Sequence, residues 1–146
     1  PELNELLQEP VDFNKPEILM VDRRKDPRLK VLLKAASQLV SKNPTLDNKA
    51  RILALHVSSA MGGMGFDEDE LEKKSTKCIQ QLREKSNSNC INLGDIRYGL
   101  KIHRAILFKY LCDNLKPIIP CRLSWQTDSV FVPLSSDFRK YKRVSL

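Results

Sequence analysis

Apolar residues recur along this chain with two periods, and the helical one dominates. Asp26 followed by Pro27 supplies an N-cap and a first-turn proline, after which Leu29, Leu32, Leu33, Ala36, Leu39 and Val40 return at steps of three and four. That spacing predicts a helix with one buried face. A second helix is predicted from Pro44-Thr45, where the Thr45 hydroxyl can accept an amide hydrogen bond. Leu46, Ala50, Leu53, Val57, Ala60 and Met61 lie along one side of it, and Gly62-Gly63 ends it. The acidic run at 67–72 has the composition of an interaction tail, but carboxylates are favoured at the positive end of a helix dipole. Leu71, Cys78, Ile79 and Leu82 continue on one face until Ser86-Asn87-Ser88-Asn89 breaks the pattern, so a third helix is predicted there. Residues 99–112 suit a largely buried helix through Leu100, Ala105, Leu107, Phe108, Leu111 and Cys112.

The second period is shorter. Residues 18–21, 90–93, 117–123 and 129–132 are apolar runs of strand length, with a turn at Gly94-Asp95. Helices come first and most strands later, which argues for an α+β domain and against a parallel α/β sheet. Pro1, Pro10 and Pro16 surround one short amphipathic piece and mark residues 1–16 as an arm or linker end. The expected domain covers residues 17–134, and 135–146 form a basic tail or the start of further strands.

Length and charge narrow the function. The 146 residues, 41% of them hydrophobic, suffice for one core and exclude a repeat array or a multidomain enzyme. The net charge of +7 is localised: residues 1–96 hold 15 basic and 15 acidic side chains, residues 97–146 hold 10 and 3. Such asymmetry fits a nucleic-acid face, a membrane surface, an acidic protein partner or a solvated surface. The terminal cluster Arg139, Lys140, Lys142 and Arg143 has one interleaved aromatic, Tyr141, and only 6% of residues are aromatic, so nucleic acid is disfavoured as a partner.

Cys78, Cys90, Cys112 and Cys121 are separated by 11, 21 and 8 residues, without the close pairs of a structural zinc site, so no metal and no cofactor are expected. There is no signal-like start and no run near the ~20 apolar residues of a membrane span, so a reduced, cytoplasmic chain is expected. Cys78, Cys90 and Cys112 are then small buried apolar residues.

The stretch 93–122 carries more. Gly99, Lys101 two positions later, the helix His103-Arg104-Ala105-Ile106-Leu107-Phe108-Lys109 and then Ile119-Pro120-Cys121-Arg122 resemble the enhanced disease resistance domain. That domain occurs in the regulatory parts of plant Raf-like kinases and at the C-terminal end of some animal armadillo-repeat proteins. A strand before Asp26-Pro27-Arg28-Leu29 and a helix ending in Met61-Gly62-Gly63 add two more landmarks, so the resemblance spans about three quarters of the chain. It implies a papain-like, transglutaminase-like α+β fold, with a central helix packed on a small antiparallel sheet. Gly99, His103, Arg104, Ala105, Leu107, Phe108, Pro120, Cys121 and Arg122 then have structural roles.

Active members of that group hold a cysteine at the N-terminus of the central helix, where unpaired amides and the dipole stabilise the thiolate. The matching position here is Lys101, which is no thiolate and no ready nucleophile. The group also needs a histidine on a later strand, but the two histidines are His56 and His103 and none follows. The resemblance therefore implies a pseudoenzyme: a non-catalytic module that binds a protein partner and regulates or scaffolds a larger cytosolic protein. Lysine in place of cysteine or serine favours an animal armadillo-repeat parent, whose own repeats could be the partner. Two rival readings remain. One is a cysteine hydrolase with Cys112 or Cys121 as displaced nucleophile. The other is a binder of anionic surfaces through Arg97, Lys101, Arg104 and the 139–143 cluster. Arg97 and Lys101 oppose the helix dipole, so acidic side chains or an anion are expected to offset them.

Overall fold

The computed structural model describes residues 3–123, 129–133 and 141–145. In chain order it contains α1 (Leu3–Gln8), β1 (Ile18–Met20), α2 (Pro27–Ser41), α3 (Leu46–Ala60), α4 (Glu68–Ser86), β2 (Cys90–Asn92), a 3-10 turn (Leu93–Asp95), α5 (Lys101–Asn114), β3 (Arg122–Leu123), β4 (Ser129–Pro133) and β5 (Tyr141–Ser145). The helices begin where their caps dictate. The Asp26 carboxylate accepts from Leu29 N (3.0 Å), the Thr45 hydroxyl from Asn48 N (3.2 Å) and the Asp67 carboxylate from Glu70 N (2.8 Å), each satisfying an amide with no intrahelical partner. The acidic run is thus the first turn of α4. Gly62 and Gly63 end α3 with φ of +103° and +79°, and Asn87 ends α4 in the left-handed region at +48°.

The core is where α2, α3 and α5 meet around the 3-10 turn. Leu29, Ala36, Leu53, Val57, Met61, Leu93, Ile96, Leu107, Phe108 and Leu111 are all but fully buried. Leu33 and Leu39 only partly join Leu29, Leu32, Ala36 and Val40 on the buried face of α2. Of the cysteines, Cys90 and Cys112 are buried as expected, but Cys78 is half-buried.

The sheets correct the sequence reading. The expected small antiparallel sheet is, for the strands nearest the core, a parallel pair: Ile18 faces Cys90, Leu19 faces Ile91 and Met20 faces Asn92. Three helices intervene between β1 and β2, so the chain has crossed over and returned in the same direction, the connection a parallel pair requires. A separate sheet, β3-β4-β5, is antiparallel and lies against α5 and α3. The strand expected over 117–123 shrinks to Arg122–Leu123, because Pro117 and Pro120 cannot donate to a ladder.

The N-terminal arm is fastened. Arg83, buried on α4, donates through Nη2 to Asp12 O (2.5 Å), Lys15 O (2.8 Å) and Asn89 Oδ1 (2.7 Å). Asp12 N donates to the same Asn89 oxygen (2.8 Å), and the Arg83 guanidinium lies over the Phe13 ring. Of the terminal cluster, Arg139 and Lys140 lie outside the described residues. Lys142 and Arg143 belong to β5, but their side chains, like that of Arg122, fall outside the description.

Candidate functional site

Lys101 is the first residue of α5, so the landmark that led to it does fall at a helix N-terminus. Gly99 is what lets the chain reach that point. Its amide donates to Met61 O (3.0 Å), and a Cβ there would force the buried Met61 side chain to shift, so the absence of a side chain favours this approach of α5 to the end of α3. The helix cap, Leu100, has no side-chain acceptor. Its own amide instead donates to Nδ1 of His103 (2.9 Å), the half of the usual capping box in which the third helical residue reaches back to the cap amide.

His103 is buried, and its role follows from that bond. Nδ1 accepts, so Nε2 carries the proton and faces Glu17 Oε1 at 3.6 Å, an electrostatic contact longer than a hydrogen bond. Burial lowers the His103 pKa below its ordinary 6.5, and the Glu17 carboxylate only partly opposes this. A base with a depressed pKa binds its proton more readily when unfolded. Stability from His103 is therefore fully present above about pH 6.5 and is lost as pH falls below it, through the lower folded value. His103→Gln keeps an acceptor but does not titrate, so its urea midpoint should fall less between pH 7.5 and pH 5.5 than that of the parent. Superimposable pH profiles would remove His103 from this role.

Arg104 is a tie between helices. Nε donates to Gly99 O, Nη1 to Ser58 Oγ and Nη2 to Met61 O, each at 2.8 Å, and the residue is buried. All three acceptors are neutral, and desolvation lowers its pKa. A second arginine reaches the same helix end: Arg28 donates to Ala60 O (2.7 Å) and to Gly94 O (2.6 Å). Two cations thus sit at the negative end of the α3 dipole, where positive charge is favoured. Arg28 was not singled out from sequence. The signal was present, because a cation in the first turn of α2 opposes that helix's own dipole and needs a partner elsewhere.

The other motif residues differ in burial. Leu107 and Phe108 are buried, while Ala105, Pro120 and Cys121 are half-buried. Lys109 Nζ donates to Cys121 O (2.6 Å) and pairs with Asp113 (2.9 Å). The neighbouring Cys121 sulfur and burial raise the Cys112 pKa, and the Cys112 thiol in turn lowers that of Cys121. Neither has a histidine base in the contacts described: His56 Nε2 is bonded to Leu32 O (2.9 Å) and His103 to Leu100.

Lys101 itself points outward and pairs with Glu68 at the start of α4 (3.1 Å), the acidic offset its position calls for. Arg97 does not join it. It is exposed and borders a groove between α4 and the β1-β2 pair. Among the described residues no three His, Cys, Asp or Glu side chains gather as a metal site, and no helix is long and apolar enough to cross a membrane.

A helical α+β domain with a parallel strand pair and a central helix whose start is tied by Gly99, His103 and Arg104 is the class these observations define. The chain belongs to the family described as EDR1/CTR1/ARMC3, peptidase-like, whose model matches residues 1–129. It is 35% identical over 109 residues to the serine/threonine-protein kinase CTR1 of Arabidopsis thaliana, covering 74% of this chain and 13% of that protein. It is 30% identical over 114 residues to the probable serine/threonine-protein kinase SIS8 of the same plant, covering 73% of this chain and 11% of that protein. The chain therefore corresponds to a small part of either relative's length. No solved structure matches.

Proposed function

We propose that this chain is a non-catalytic, papain-like domain that binds another protein and regulates or scaffolds a larger cytoplasmic protein. The observation that carries the reading is the N-terminus of α5, where Lys101, paired with Glu68, stands at the position that the resemblance assigns to a nucleophilic thiol. The commitments of His56 and His103 add support, since each already has a hydrogen-bond partner in the scaffold. Kinase relatives favour a regulatory role beside a kinase domain. Lysine in place of the cysteine or serine of plant members favours an armadillo-repeat parent, and that architecture belongs to the same proposal.

Thiol reactivity tests it. With iodoacetamide at neutral pH, the four cysteines should be modified at the slow rates of ordinary thiols, buried Cys90 and Cys112 last. A mixture of unstructured peptides should remain uncleaved. Rapid labelling of a single cysteine that also abolishes cleavage of one of those peptides would establish an enzyme instead.

A further inference from the structure

A groove of about 780 Å³ runs between α4 and the β1-β2 pair, well separated in role from the ties at the start of α5. Its floor is apolar: Met20 and Ile91 from the strands, Cys78 and Leu82 from α4. Its border is cationic. Lys25, Lys85 and Arg97 are exposed there against a single carboxylate, Asp95, and none of the three bases forms an ion pair among the described residues. Lys25 lies near enough to Asp22 to lower its pKa, but the border still carries more bases than carboxylates, and such a border around a concave apolar floor is complementary to a ligand with the opposite distribution.

We infer that this groove docks an acidic peptide segment of a partner protein, with an apolar side chain on the floor and carboxylates against Lys25, Lys85 and Arg97. The shape and lining select a peptide. The long exposed side chains at its border leave it open, unlike a small-molecule site that encloses most of its ligand. The lining contains no aromatic ring on which bases could stack. A membrane surface is met by protruding apolar and basic side chains, whereas here the apolar atoms are recessed. The inference rests on the protein-binding reading and supplies that reading with a surface.

The probe is the fluorescein-labelled peptide Glu-Asp-Leu-Glu-Leu-Asp-Glu, read by anisotropy on the whole chain. Saturable binding is expected, weakened by salt and by about tenfold in Lys25→Glu/Lys85→Glu/Arg97→Glu. The variant Lys30→Glu/Lys34→Glu/Lys42→Glu makes the same change in net charge at exposed positions of α2 and its C-cap, and it should bind as the parent does. Gln81→Trp, which fills the groove from exposed α4 without altering charge, should also abolish binding. Bound peptide should slow alkylation of Cys78 on the floor and leave Cys121 unaffected. Equal losses in the two triple variants, no protection of Cys78, or displacement of the probe by oligo(dT) or phosphatidylserine vesicles as readily as by unlabelled peptide would each overturn the proposal. A groove that fails these tests while the peptide mixture stays uncleaved sinks the docking surface alone. Cleavage of the probe or of that mixture sinks the non-catalytic reading.

Discussion

Arg104→Leu should lower the stability of the domain by about 2–4 kcal/mol, a large part of the ~5–15 kcal/mol that holds a domain of this size together. The substitution relieves the desolvation of a buried guanidinium, which works in its favour. Against that, it strands Gly99 O and Ser58 Oγ, each now receiving a hydrogen bond of 2.8 Å in a buried setting, and leaves Met61 O with the Gly99 amide as its donor. A buried polar group left without a partner costs about 1–3 kcal/mol, and two such groups together with the weakened Met61 carbonyl outweigh the relief. Arg104→Lys should recover little. An ammonium is a point charge on a flexible stem and cannot replace a planar fork that meets three acceptors on two segments at once. Urea unfolding with an unchanged slope is the measurement. A leucine variant within about 1 kcal/mol of the parent would show that the tie is dispensable.

The second large effect is expected at Asp26, which is wholly buried and divides its carboxylate between two elements. Oδ1 caps α2 through Leu29 N at 3.0 Å, and Oδ2 accepts from Gly94 N at 2.7 Å, 68 residues away. Asp26→Ala should cost about 2–4 kcal/mol, combining a lost cap of about 1 kcal/mol with a buried amide left unpaired. Asp26→Asn is the sharper test. Asparagine is an excellent cap in isolation, but its NH₂ would confront whichever amide its oxygen does not serve. It should therefore be nearly as damaging as alanine. Gly94→Ala probes the pair from the other side, because its Cβ would run into the Asp26 carboxylate and the backbone at Leu29. Combining Asp26→Ala with Gly94→Ala should cost clearly less than the sum of the two. Additive losses, or an asparagine variant as stable as the parent, would show that the two residues act separately.

Asp26 also shows how far the sequence could be read. Its capping role was legible, because an N-cap acts on its own helix and Asp26-Pro27 before a three-four repeat announces it. The same holds for Thr45, Asp67 and the Gly62-Gly63 stop, whose partners lie within a few residues. The second half of Asp26's work was not legible, since nothing local says that Gly94 lies beside it. Long-range arginine contacts escaped for that reason. Arg28 looks like any helix-surface cation until the end of α3 is placed next to it, and Arg83 until residues 12–15 fold back over α4. The parallel pairing of β1 with β2 was hidden for a related cause: strands of three residues have no usable alternation, and partners about seventy residues apart are brought together by the packing of the three helices that connect them. At the candidate site, Lys101, His103 and Arg104 were found through the motif, and the buried-tie reading of Arg104 needed only its apolar surroundings. The groove could not be found that way, because its lining residues are scattered from Leu7 to Arg97.

Labour is divided among the residues at the start of α5. Closeness to α3 is secured by Gly99, the first amide by His103 and the helix-to-helix tie by Arg104, all of them inward-facing. Residue 101 contributes a surface ion pair with Glu68, an interaction of a kind worth about 0–1 kcal/mol. That pair lies on the surface, apart from the buried bonds made by Gly99, His103 and Arg104. The buried bonds that fix this turn are thus made by residues 99, 103 and 104, so the approach of α5 to the end of α3 is set by groups that face away from solvent.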